Sequence, residues 1–193
     1  MKIIITTLFA ALLISSAATA QHANIGIKGG VNAYTIKGDD DASFDTKVSF
    51  HLGLIGHIHI SNQFALQPEL VYSVQGTQYT IAGQDVKLNL NYINVPLIFQ
   101  YMFDNGFRLQ AGPQLGFLAS AKAAVNDNDT DVKDDFESID LGIALGASYV
   151  NPASNFGVDI RYNLGLSNIN DGAANYYNRG LQAGVFYLFK HKS

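Results

Sequence analysis

Residues 156–167 read FGVDIRYNLGLS, and they alternate almost without fault. Phe156, Val158, Ile160, Tyr162, Leu164 and Leu166 are apolar, while Gly157, Asp159, Arg161, Asn163, Gly165 and Ser167 are small, polar or charged. A period of two marks a β-strand, because successive side chains leave opposite sides of the pleated backbone. A soluble sheet would turn the apolar face onto a core and the charged face into water. A membrane barrel inverts that arrangement, with lipid outside and a polar lumen inside.

Composition favours the inverted arrangement. The 193 residues suit one domain; 48% are apolar and only 15% charged, against about 25% charged in soluble domains. Eighteen Gly and four Pro fit a sheet protein whose strands must curve and approach closely, and 10 Tyr and 12 Phe stand beside no Trp. There is no Cys, which excludes a disulfide scaffold, thiolate catalysis, thiolate metal sites and a lipid anchor on a cysteine.

The first twenty residues, MKIIITTLFAALLISSAATA, carry a basic start at Lys2, an apolar run from Ile3 to Ile14 and a small-residue ending Ala18-Thr19-Ala20. They read as a cleaved secretory signal peptide over 1–20, with the barrel domain over 21–193. The apolar run is too short for the ~20 residues of a spanning helix. Cleavage would leave 11 basic and 16 acidic residues, a net charge of −5 that offers no footprint for nucleic acid.

Eight strands are expected, near 24–36, 47–60, 64–79, 87–103, 107–120, 136–150, 156–168 and 178–189. Each exceeds the roughly 9–11 residues that a tilted strand needs to cross a bilayer. Short connections at 61–63, 104–106 and 151–155 alternate with longer ones at 38–46, 81–85, 121–135 and 170–177. Tight periplasmic turns alternating with longer outer loops are the pattern of an outer-membrane barrel. The fold expected is therefore all-β: an eight-stranded antiparallel up-and-down transmembrane β-barrel.

Facing extends the argument. The fifth strand opposes Phe107, Leu109, Ala111, Leu115 and Phe117 to Arg108, Gln110, Gly112, Gln114 and Gly116. The sixth opposes Ile139, Leu141, Ile143, Leu145, Ala147 and Tyr149 to Asp140, Gly142, Ala144, Gly146 and Ser148, and the eighth continues with Leu181, Ala183, Val185, Tyr187 and Phe189. Gly and Gln suit a crowded interior, where small side chains must make room for long ones. In the fourth strand Leu88, Leu90 and Tyr92 share one parity and Val95, Leu97, Phe99, Tyr101 and Phe103 the other, so a β-bulge is expected between Tyr92 and Val95, beside Pro96. Phe64, Phe103, Phe107, Tyr149 and Phe156 flank the short turns, and Tyr187 and Phe189 lie at the same rim, as an aromatic girdle would.

The runs GIKGGVN, FALQPELVYSVQG, LNYINVPLIFQY and FRLQAGPQLGF resemble the outer-membrane β-barrel domain widespread in Bacteroidota and often called porin family, an OmpA/OmpX-like eight-stranded barrel. The resemblance covers essentially the whole chain after residue 20. It implies outer-membrane localisation, contact with lipid and lipopolysaccharide, insertion by the barrel-assembly machinery and a monomer, but no activity. The chain departs at Asn94, where many relatives are expected to carry an acid, so details of lumen pairing do not carry over.

The inward set includes Lys28, His51, Glu69, Arg108, Asp140, Asp159 and Arg161, three fixed cations against three carboxylates and one imidazole. Buried charges are tolerable when paired and hydrogen-bonded, so this set is expected to form a structural plug, the alternative being a narrow path for solute. Asp159 and Arg161 are expected to pair with neighbours such as Glu69 or Lys28. A lipocalin-like soluble binder would need an apolar interior instead, and a module acting through its outer loops would leave no readable motif.

Chemistry beyond this is not signalled. His57 and His59 share one face at a spacing open to two metal ligands, without an evident third, and no Ser beyond Ser61 is placed for a triad with them. His22 and His191 lie near the termini. The acidic run begins Asp127-x-Asp129-x-Asp131, yet Val132 and Ser138 stand where a calcium loop needs Gly and Glu. That run reads as a solvated outer loop, with divalent ions bridging it to lipopolysaccharide as the alternative. No catalytic residue, cofactor or metal site is expected.

Overall fold

A computed structural model describes residues 23–38, 44–81, 83–125, 128–172 and 174–189. The proposed signal peptide, His22, His191 and Asp127 lie outside the described residues. The described residues form nine strands: β1 (Ala23–Gly38), β2 (Asp45–His59), β3 (Phe64–Ile81), β4 (Gln84–Met102), β5 (Phe107–Val125), β6 (Asn128–Asp131), β7 (Ile139–Val150), β8 (Phe156–Gly165) and β9 (Tyr176–Leu188). Eight of them form a ring in the order β4-β3-β2-β1-β9-β8-β7-β5, closed by pairing of β4 with β5. Every pairing is antiparallel. Closure leaves the ring no free edge, which is what a sheet needs where no water can satisfy its backbone.

The alternation in the sequence becomes an inside and an outside. Along β8, Ile160 is 50% exposed and its neighbour Arg161 is 2% exposed. Of the other apolar residues of that parity, Phe156, Val158, Tyr162 and Leu166 are exposed and Leu164 is half-buried, and Leu141, Leu145, Leu181 and Val185 on neighbouring strands are exposed too. Inside, glycine makes room for rings. Gly157 faces Phe186 and Gly180 faces Tyr34 across strand pairs, and a Cβ at either position would stand 2.3 Å or 2.5 Å from the opposing ring.

The lumen is layered. Near the end carrying the three short turns, Ile55, Val150, Phe186 and Leu188 form an apolar cluster. Polar and charged side chains occupy the middle. At the far end Ile36, Leu88, Leu90, Tyr92, Leu118, Ala121 and Ile169 make a second apolar cluster, against which Phe44, Val132, Phe136 and Tyr176 pack.

That second cluster corrects the reading of the fourth strand. β4 has no phase slip: Val86, Leu88, Leu90, Tyr92, Asn94, Pro96, Ile98, Gln100 and Met102 all point inward, and its register with β3 is continuous. Leu88, Leu90 and Tyr92 are apolar because they cap the lumen, not because they face lipid. The irregularity lies across the pair, in β5, where Asn91 pairs with Ser120 but Tyr92 with Leu118, leaving Ala119 as the extra residue. A second register shift separates Thr46 from His51 against β3. Near that level Gly76 has φ +111°, and a Cβ there would meet the Leu88 carbonyl oxygen at 2.2 Å.

The connections differ in two places. Where a loop near 81–85 is expected, pairing continues to Ile81 of β3 with Gln84 of β4, and Gly83 has φ 78°. The run 121–135 is partly ordered: β5 continues to Val125, β6 pairs back onto it, and a 3-10 turn covers Lys133–Asp135. Phe136 then bridges Asn170, tying this segment to the last loop.

Candidate functional site

Strand positions opposite one another in the ring converge on a buried cluster of four charges. Glu69 stands third among the inward residues of β3, after Ala65 and Gln67, and Arg161 stands third on β8, after Gly157 and Asp159. The guanidinium donates from Nη1 to Glu69 Oε2 and from Nη2 to Oε1, both at 2.9 Å. Two parallel bonds of this kind fix orientation as well as charge. Lys28 of β1 completes the set, with Nζ 3.3 Å from Glu69 Oε2 and 3.1 Å from Asp159 Oδ2. Two cations thus meet two carboxylates, all with side chains at most 3% exposed.

Neutral amides extend the cluster. Arg161 Nη2 also donates to Gln110 Oε1 at 2.9 Å, and Gln110 donates on to Ser148. Gln67 donates to Glu69 Oε1 at 2.6 Å and accepts from Gln100, which accepts from Arg108 at 3.4 Å. Above, the Asn32 Oδ1 lies 2.8 Å from His51 Nδ1 and accepts from Gln182, while Asn163 donates to the Tyr34 hydroxyl. Desolvated charges are tolerated because they pair with one another and with these amides, although Asp159 Oδ1, Arg161 Nε, His51 Nε2 and Asn163 Oδ1 are buried without a hydrogen-bond partner among the described residues.

The seven charged positions read from sequence therefore separate into groups. Lys28, Glu69, Asp159 and Arg161 share one cluster, and His51 sits just above it on Asn32. Arg108 lies toward the short-turn end and is joined to the cluster only through two glutamines. Asp140 lies toward the other end, accepting from Asn178 at 2.9 Å and Ser167 at 3.1 Å. Among the described residues neither Arg108 nor Asp140 has an oppositely charged partner within 4 Å. The amides that bind these charges share the inward parity of Glu69 and Arg161, which is the sequence signal that marks them. Lys47 lies outside the seven: it is 8% exposed and donates to the carbonyl oxygens of Gln75 and Leu88.

The outer surface carries rings in contact at the short-turn rim. Phe64 meets Tyr101 edge-on at 5.3 Å, Tyr101 meets Phe103 at 4.9 Å, Phe103 meets Phe107 at 5.7 Å and Tyr187 meets Phe189 at 5.4 Å. His57 and His59 do share a face, with ring centroids 4.6 Å apart. No group of three or more metal-ligating side chains occurs among the described residues.

A closed antiparallel ring, apolar and ring-girdled outside and charged within, is a transmembrane β-barrel. The chain belongs to the outer membrane protein β-barrel domain family, whose model matches residues 19–171, and it is a protein of the outer membrane. Its fold is similar to that of Neisserial surface protein A (TM-score 0.56, 19% identity, 88% of this chain and 100% of that one). It is similar also to Ail, the attachment invasion locus protein of Yersinia pestis (TM-score 0.55, 16% identity, 88% and 100% covered). A further structure of Ail, in complex with the heparin analogue sucrose octasulfate, matches at TM-score 0.54 with 16% identity over the same shares. No curated protein matches the sequence.

Proposed function

We propose that the protein is a non-enzymatic, monomeric outer-membrane barrel with a plugged lumen, serving a structural or interaction role and passing at most small solutes. The observation that carries this reading is the span of the cluster: Glu69 and Arg161 sit on strands half a ring apart and meet at 2.9 Å, so their side chains cross the bore. Eight strands enclose only enough space for side chains or one small ligand. Its partners are the lipid and lipopolysaccharide around it and the assembly machinery that inserts it. Purified protein in planar bilayers should give no large, stable conductance; steady general-porin steps would contradict the plugged reading.

An interaction role through the outer end has its own support. β3, β4 and β5 run 18 or 19 residues, against 12 and 10 for β7 and β8, so one side of the barrel reaches further than the other. The segment 128–137 there carries Asp129, Asp131, Asp134, Asp135 and Glu137 against Lys133. Such a surface repels a polysulfated ligand of the type bound by Ail and suits a cationic partner. Binding of the reconstituted barrel to immobilised polylysine, lost on neutralising these five acids, tests this second role.

A further inference from the structure

At the periplasmic end, beyond the apolar cluster of Ile55, Val150, Phe186 and Leu188, the barrel mouth opens into a vestibule of about 320 Å³. Its polar wall comes from His57 and His59 of β2, Arg108 of β5, Asn24 of β1 and the turn residues Asn62 and Asp104. The floor is apolar, with Met102, Val150 and Leu188. A volume near 300 Å³ with convergent polar groups over an apolar floor has room for a small polar ligand.

Two of these groups lack what an anion would supply. Arg108 has no carboxylate within 4 Å among the described residues, and the bond it makes, to Gln100 Oε1, is long at 3.4 Å. His57 is 0% exposed, and among the described residues neither of its ring nitrogens makes a hydrogen bond of good distance and angle. Gln67, the polar side chain facing it, is held by its bonds to Glu69 and Gln100, which leave one amide N–H and one lone pair toward the ring. Burying a polar ring in this way is costly unless something in the cavity completes it. The wall's acid, Asp104, stands on an exposed turn.

We propose that this vestibule is a binding site for a small oxyanion, a phosphate or carboxylate group, entering from the periplasm. Two of its oxygens match the guanidinium fork of Arg108, and the imidazole of His57 donates to the same group. The apolar floor lowers the local dielectric and strengthens both interactions. The site is independent of the plugged-lumen reading, because it lies outside the charge cluster. It touches that cluster only through the chain from Arg108 to Gln100, Gln67 and Glu69.

The test is an NMR titration of the isotopically labelled barrel in zwitterionic micelles at fixed ionic strength, with inorganic phosphate and acetate added separately in place of chloride. Saturable shifts at the side chains of His57, His59 and Arg108 are expected with at least one anion, and the anion that saturates assigns the chemistry. Arg108→Gln should weaken the response at least about tenfold, while Lys37→Gln, at the other end of β1, should leave it unchanged. If Arg108→Gln does not fold, His57→Gln serves the same comparison. Nanodiscs with and without phosphatidylglycerol separate the sources: saturation with no added phosphate assigns a lipid headgroup, and its absence a soluble anion. Shifts that stay linear with both anions, or survive unchanged in Arg108→Gln and His57→Gln, would overturn the proposal.

Discussion

Arg161 grips Glu69 with both terminal nitrogens at 2.9 Å, from a strand on the opposite side of the ring. The two residues are 92 apart in sequence, so their contact forms only when the barrel closes. Lys28 and Asp159 complete a neutral group of four. The barrel therefore carries its lock in the lumen and its solvent-like match, an apolar surface, toward lipid.

Breaking that lock on one side is more damaging than removing it. Arg161→Leu leaves Glu69 with one cation for two carboxylates, and one-sided loss of a buried pair costs about 3–5 kcal/mol. Adding Glu69→Gln leaves Lys28 facing Asp159 alone, a balanced pair already at 3.1 Å. Urea unfolding in phospholipid vesicles should show the double variant recovering most of the loss, a coupling that independent sites would lack.

The outer cap makes a second, separable contribution. Leu90 is fully buried among Ile36, Leu88, Tyr92, Leu118 and Ile169, so Leu90→Ala should cost about 2–5 kcal/mol in the same assay. Its neighbour Asn91 points outward and makes one bond, to Ser120, so Asn91→Ala should cost about 1 kcal/mol or less. Equal effects at the two positions would put the phase slip back into β4.

Much of this was legible in sequence, for a physical reason. Where one face meets lipid and the other a packed lumen, alternation is enforced at every step, and β8 shows it from Phe156 onward. The misreading of β4 has the converse cause. Leu88, Leu90 and Tyr92 are inward residues in an apolar cap, and hydropathy alone cannot separate a cap from a lipid face. The real bulge, at Ala119, sits in a run of Ala and Ser whose side chains are too small to display parity. β6 is hidden likewise, since the residues Asn128–Asp131 are polar on both faces. The charges were visible one by one, but parity carries no height or azimuth, so it did not divide Arg108 and Asp140 from the central four.

The lipid face can be charged deliberately. Ile160 is half exposed in the middle of β8, and Ile160→Arg should destabilise the reconstituted barrel by about 2–4 kcal/mol, the cost of a cation near the bilayer midplane. Undiminished stability to urea in vesicles would mean that this face meets water.

The central claim, that the apolar parity faces lipid and the charged parity faces the lumen, is best measured on β8 itself. The chain has no cysteine, so single cysteines at 158 to 163 can carry a spin label without removing any native thiol. Power-saturation electron paramagnetic resonance then compares access of membrane-dissolved oxygen with access of a water-soluble nickel chelate. High oxygen access at 158, 160 and 162, with low access of both reagents at 159, 161 and 163, is the predicted period of two. Nickel access at the even positions, or oxygen access at the odd ones, would contradict the inside-out barrel.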